Sequence, residues 1–149
     1  MKHGFVRVAA ATPRIRVADT RFNTDSILSC IKQAKEEGAE LLVFPELCIC
    51  GYTCGDLFGQ DVLLRGASEA LRKIAAATEG AGMLVFVGVP LKVNGVLYNC
   101  AAALNSGKVL AFIPKRHLPN YAEFYEKRNF QPYSGENIRI PFGGEEIPF

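Results

Sequence analysis

Two apolar runs of strand length end in the same way. Leu41-Leu42-Val43-Phe44 stops at Pro45 and continues with Glu46, and the run over residues 109–113 stops at Pro114 and continues with Lys115. Proline has no N–H to give to a sheet ladder, so each run ends there and delivers a charged side chain just past a strand's carboxyl end. In open α/β sheets that rim is where ligands bind. A carboxylate and an ammonium delivered to it have the chemistry of a proton acceptor and of a stabiliser of developing negative charge. The same spacing also fits a strand-end ion pair or two solvated charges, and on spacing alone both readings stand.

The rest of the chain supplies the layers such a rim needs. Residues 5–11, closed by Thr12-Pro13, read as a buried strand. A helix follows, with Asn23, Thr24 or Asp25 as its cap, Ile27, Ile31 and Ala34 on one face, and Gly38 where a left-handed terminal residue is wanted. A Gly- and Cys-rich loop over residues 48–55 leads to a second amphipathic helix, with Leu63, Ala67, Leu71 and Ile74 on one face and Arg65, Arg72 and Lys73 on the other, stopped by Gly80 and Gly82. Residues 83–89 read as a buried strand ended by Pro90, Val93-Asn94-Gly95-Val96 as a hairpin leading into residues 97–104, and Asn105-Ser106-Gly107 as the next turn. Residues 117–149 carry many Pro, Gly and aromatic residues without a period and read as a long ordered loop system, ending at Ile147-Pro148-Phe149 as if cut inside a strand. This order predicts an α/β layered fold, a mixed sheet with helices on at least one face.

Charge and cysteine usage narrow the function classes. The 17 basic and 15 acidic residues are scattered without runs, for a net charge of +2, which argues against nucleic acid or an anionic membrane and for a small-molecule partner. No apolar stretch approaches the ~18 to 20 residues that span a bilayer and no signal-peptide pattern opens the chain, so a cytoplasmic location is predicted. The five cysteines, Cys30, Cys48, Cys50, Cys54 and Cys100, are odd in number and read as reduced thiols. Their C-x-C-x-x-x-C run lacks the paired spacing of common zinc modules, even with His3 and His117 as additions, so no metal is expected. No Gly-rich phosphate-cradling motif is present, and nucleotide binding is expected elsewhere than in this segment.

The strings Phe44-Pro45-Glu46-Leu47, Gly51-Tyr52-Thr53-Cys54-Gly55-Asp56-Leu57-Phe58, Pro114-Lys115, Leu118-Pro119-Asn120-Tyr121 and Glu123-Phe124-Tyr125-Glu126-Lys127-Arg128 resemble the carbon-nitrogen hydrolase (nitrilase) superfamily. Within it they look most like the amidase domain of glutamine-dependent NAD synthetases. The resemblance implies an α-β-β-α sandwich, incomplete at its C-terminus, with residues 1–149 as the N-terminal part of a glutaminase domain. It implies a glutamate, lysine and cysteine triad, of which Glu46 and Lys115 match the first two members. It further implies that Tyr121 contacts glutamine, that Tyr52 and Glu126 border the substrate pocket, and that Glu123 supports the lysine. Aromatic packing for Tyr121, and solvent or the neighbouring Lys127 and Arg128 for the two glutamates, remain open beside these roles.

The family's nucleophilic cysteine follows the lysine segment, whereas no cysteine follows Lys115 here, so the 149-residue segment is expected to be inactive alone. Cys100 reads as a buried strand residue, and none of Cys48, Cys50 and Cys54 stands in the nucleophile's place. The implied parent activity is glutamine hydrolysis feeding ammonia to ATP-dependent amidation of deamido-NAD in a downstream synthetase domain, with ATP and deamido-NAD held there and self-association common among relatives. The competing readings are a stand-alone nitrilase-branch amidase and a non-catalytic relative.

Overall fold

The computed structural model describes residues 4–149. The element order is β1 (Val8–Ala10), α1 (Thr20–Glu36), β2 (Leu41–Val43), α2 (Asp61–Ala77), β3 (Leu84–Val93), β4 (Val96–Asn105), β5 (Lys108–Pro114), β6 (Arg139–Phe142) and β7 (Glu145–Pro148), with short 3₁₀ turns at Gly55–Gly59 and Glu126–Arg128. The first five strands form one sheet in chain order, β1, β2 and β3 parallel and β3, β4 and β5 antiparallel, while β6 and β7 form a separate hairpin. The parallel strands need the crossover helices that the sequence places between them, and the antiparallel ones need only tight turns. Asn94 and Gly95 both take positive φ in the first of these turns, at 49° and 82°.

One face of the sheet is packed and the other is open. Leu42, Val85, Val87, Cys100, Ala102, Leu104 and Phe112 join Ile27 and Ile31 of α1 and Leu63, Ala67, Leu71 and Ile74 of α2 in a single buried core. Side chains alternate along a strand, so their neighbours point away from the helices. The aligned row of Ala10, Val43, Phe86, Ala103 and Ala111 runs across that second face, and Val43 and Ile113 there are exposed.

Several local expectations shift. Residues 5–11 are not a buried strand: the strand is Val8–Ala10, it lies at the sheet edge with β2 on one side only, and Phe5, Val6 and Val8 are exposed. Helix α1 begins earlier than Asn23, capped by Asp19, whose side chain accepts from the N–H of Phe22 at 3.0 Å. Thr24 donates to the Thr20 carbonyl one turn back, and Asn23 is fully buried. Strand β3 runs through Pro90 rather than stopping there. Its ladder with β2 ends at Phe86, so the missing N–H of Pro90 interrupts no pairing. The C-terminal segment, read as loop, contains the β6–β7 hairpin around Gly143 and Gly144, both at positive φ.

Asn23 ties the start of α1 to the Cys-rich loop. It accepts from the Arg16 N–H at 2.7 Å and donates to the carbonyls of Arg16 and Ile49 at 2.8 and 3.0 Å. Replacing it with alanine removes the partner of the buried Ile49 carbonyl and of the part-buried N–H and carbonyl of Arg16. Asn23→Ala is therefore expected to cost about 2 to 3 kcal/mol in urea unfolding, and a cost below about 0.5 kcal/mol would contradict this role.

Candidate active site

The two strand ends deliver Glu46 and Lys115 to one place. The Lys115 ammonium donates to Glu46 Oε1 at 2.5 Å and to both carboxylate oxygens of Glu126, at 2.9 and 3.1 Å. Asn99, on β4, donates from Nδ2 to the same Glu46 oxygen and reaches Glu126 Oε2 at 3.5 Å. The Tyr52 hydroxyl donates to Glu126 Oε1 at 2.8 Å. Five side chains from four separate stretches of chain therefore form one connected polar cluster. Glu46 and Lys115 border a cleft of about 270 Å³ over the open sheet face, lined also by Phe86, Gly88, Asn99, Ala101 and Ile113. A groove of about 360 Å³ along α2 is larger and lined by the charged side chains of Asp61, Arg65, Glu69, Arg72 and Lys92, of which Lys92 and Asp61 form a surface ion pair at 3.6 Å.

Local sequence explains each placement. Past β2 the chain turns at Pro45, Glu46 and Leu47, and Leu47 takes φ of 51°. This turn lies directly against Gly88 of β3: a methyl group at that position would collide with the Leu47 nitrogen and stand 2.8 Å from the Pro45 oxygen and the Glu46 carbonyl carbon. Only glycine admits the approach that aims Glu46 across the strand ends. Lys115 is held by its own backbone, its N–H donating to the Asn99 carbonyl at 2.8 Å and its carbonyl accepting from Tyr133 at 3.0 Å. The 3₁₀ turn at Glu126–Arg128 is tied to the Tyr52 loop by Arg128, which makes a two-pronged pair with Asp56 at 2.9 and 3.1 Å, and by the edge-to-face contact of Phe58 with Phe130.

Charge balance sets protonation. Partial burial alone would lower the Lys115 pKa, but the hydrogen bonds and charges of Glu46 and Glu126 outweigh it and hold the ammonium above its ordinary value. Lys115 is thus a fixed cation through the neutral range. Desolvation, the bond to Glu126 and the charges of Glu126, Glu46 and Glu123 push the Tyr52 phenol up, so it stays a neutral donor.

The residues singled out from sequence separate into two groups. Glu46, Lys115, Tyr52 and Glu126 meet. Glu126 is 5% exposed and is the second glutamate on Lys115, the place that the resemblance gave to Glu123. Glu123 lies exposed three residues earlier and acts on the cluster through its charge near Tyr52. Tyr121 is 69% exposed and rests edge-on against Phe124, which in turn meets Tyr52. Asn99 and Gly88 went unrecognised as site residues. The signal for both was available only as register: β4 pairs Asn99 with Pro90, two residues beyond Gly88, and neither has a motif of its own.

The hydrogen bonds of the polar cluster involve no cysteine among the described residues, although Cys100 lines the same cleft. Cys48, Cys50, Cys54 and Cys100 are buried, and burial pushes the Cys48 thiol up to about 11 and that of Cys100 to about 12, with Cys50 raised further. Cys54 donates to the carbonyls of Cys50 and Gly51. Among the described residues no group of three or more His, Cys, Asp and Glu side chains is arranged to hold a metal ion, and His3 lies outside them. At neutral pH, iodoacetamide is expected to label the half-buried Cys30 at least about 10-fold faster than Cys50, since attack needs an accessible thiolate. Peptide mapping of the alkylated native protein checks this, and equal rates would contradict it.

The carbon-nitrogen hydrolase family model matches residues 7–148. The chain belongs to that family. It is 41% identical over 150 residues to the glutamine-dependent NAD(+) synthetase of Mycobacterium tuberculosis, and 38% identical over 149 residues to that of Xanthomonas campestris. These alignments take in 99% and 94% of the chain but only 22% and 27% of the two synthetases, so the chain spans about a quarter of such relatives. The crystal structure of the synthetase from Cytophaga hutchinsonii superposes with a TM-score of 0.91 at 32% identity, over 97% of this chain and 25% of that one. An amidase from Nesterenkonia sp. superposes with a TM-score of 0.73 at 26% identity, over 96% of this chain and 54% of the amidase, and one of its variants shows Michael addition of acrylamide at the active site cysteine. The helix layer and mixed sheet are thus part of a nitrilase-type fold. No helix among the described residues is long and apolar enough to cross a membrane.

Proposed function

We propose that this chain is the N-terminal part of a glutaminase domain, supplying the acid-base and charge-stabilising half of an amide-hydrolysing site in a glutamine-dependent NAD synthetase. The observation that carries the reading is the contact of Lys115 with Glu46 at 2.5 Å and with the buried Glu126 at 2.9 Å, beside an apolar cleft. The higher identity to the synthetases than to the amidase supports the choice of glutamine over other small amides.

In this reading a downstream cysteine, the counterpart of the one named in the amidase relative, attacks the amide carbon. Glu46 accepts the thiol proton and returns it to the departing ammonia, so the amide C–N bond breaks as the thioester forms. Lys115, kept charged by Glu126, stabilises the negative charge that develops on the carbonyl oxygen. Water then enters with Glu46 as base and releases glutamate. Tyr52, Glu126 and Tyr121 border the glutamine, and Glu123 contributes charge from the rim. ATP and deamido-NAD belong to the downstream synthetase domain, where the ammonia is used, and the site works in the cytoplasm within a self-associated enzyme.

The test is the protein extended by the sequence that follows Phe149 in its gene. Glutamate release from glutamine, together with glutamine-supported and ATP-dependent formation of NAD from deamido-NAD, is the expected result. Hydrolysis of other small amides with no synthetase activity would instead make this a stand-alone amidase.

A further inference from the structure

Asn99 stands between the two glutamates of the site. Its side chain is 4% exposed, and its backbone carbonyl fixes the start of the Lys115 segment. Its Nδ2 group donates to Glu46 Oε1, the oxygen that also takes the Lys115 ammonium, and lies 3.5 Å from Glu126 Oε2. The reverse amide orientation would set Oδ1 against two carboxylate oxygens, so the surrounding charges enforce the donor orientation.

We infer that Asn99 is a positioning residue that fixes the Glu46 carboxylate for proton transfer. The inference rests on the amide-hydrolase reading above. An ammonium is a compact charge with rotatable donors and sets a distance more than a direction. A glutamate on a turn, held by that charge alone, keeps freedom to pivot. The amide of Asn99 adds a directional bond from a paired strand, and both bonds to Glu46 among the described residues end on Oε1. Oε2 is left as the proton-accepting oxygen. The groups that face this carboxylate are Lys115, Glu126 and Asn99, with Tyr52 behind Glu126 and the charge of Glu123 beyond it.

Two variants test it. Asn99→Asp keeps the shape but replaces the donor with a third acidic group, and Asn99→Ala removes the donor. Carbon-13 NMR of the glutamate carboxyls at neutral pH in the 149-residue chain needs no activity. The Glu46 carboxyl resonance is expected to move in both variants, since each removes the Nδ2 donor from Oε1. In the gene-extended protein, Asn99→Ala is expected to lower kcat for glutamine about 10- to 100-fold with KM within about twofold. Asn99→Asp is expected to lose at least as much, because it also sets a like charge against the carboxylate. An unmoved Glu46 resonance overturns the inference whatever the enzyme does. So does a rise in KM at unchanged kcat, which would seat Asn99 on the substrate. Wild-type extended protein that leaves glutamine intact, with the resonance shift still observed, would instead overturn the glutaminase reading alone.

Discussion

Glu46→Gln and Lys115→Met, each made in the gene-extended protein, are expected to lower glutamine hydrolysis by roughly 10³-fold or more, while the 149-residue chain shows no turnover above background. The magnitudes come from what each group does. A positioned general base or acid is worth about 10² to 10⁴ in rate, and Glu46 would serve as both in successive steps. Loss of one charge-stabilising donor at a developing oxyanion costs about 10² to 10³. Lys115→Met carries a further penalty, because it leaves the buried Glu126 and the neighbouring Glu46 without their cation. The background level of the 149-residue chain follows from the thiols it contains. Cys48 is buried with its pKa pushed up to about 11, Cys100 is buried on β4, and neither offers a thiolate at neutral pH. Coupled measurement of glutamate and ammonia release decides the matter. Turnover by the 149-residue chain that disappears on substitution of Cys48, Cys50 or Cys54 would move the chemistry to an upstream thiol and refute the assignment of roles.

Sequence carried the parts of this structure that depend on one segment at a time. Ile27, Ile31 and Ala34, and Leu63, Ala67, Leu71 and Ile74, declare their helices because burial against a sheet selects that period. Pro45 and Pro114 declare the two charged strand ends. What stayed hidden depends on segments meeting. Asp19 outcompetes Asn23 as the cap of α1 because Asn23 is held inward by the Ile49 carbonyl, a contact across 26 positions. Glu126 and Glu123 are both glutamates of one short motif, and only the 3₁₀ turn decides that the former points at Lys115 and the latter at solvent. Asn99 is a polar residue in the mostly apolar strand β4, with no motif around it. Its meaning came from sitting in the ladder beside β5, whose end carries Lys115.

Gly88→Ala is expected to be the most damaging single-methyl change in the chain. The added Cβ would meet the backbone nitrogen of Leu47 and come within 2.8 Å of the Pro45 oxygen and the Glu46 carbonyl carbon, atoms that cannot swing aside as a side chain can. The turn must lift off β3. In doing so it strains the bonds that the Gly88 carbonyl accepts from the Ile49 N–H and the Cys48 thiol, and it draws on the core beneath Leu47, which is fully buried. Overpacking of this kind costs about 1 to 3 kcal/mol. For a domain of this size that corresponds to a fall in melting temperature of roughly 3 to 10 °C. Activity should fall further than stability does. Glu46 rides on the displaced turn, and a shift of about 1 Å at a catalytic group can cost 10² in rate even when the fold survives. The effect is therefore separable from global unfolding: calorimetry gives the stability loss, and kcat of the extended protein, measured well below the melting transition, gives the positional loss. Gly59 supplies the control, since a methyl group there meets open space and Gly59→Ala should leave both quantities nearly unchanged. Wild-type kcat in a folded Gly88→Ala protein would show that the approach of the turn to β3 does not set the position of Glu46.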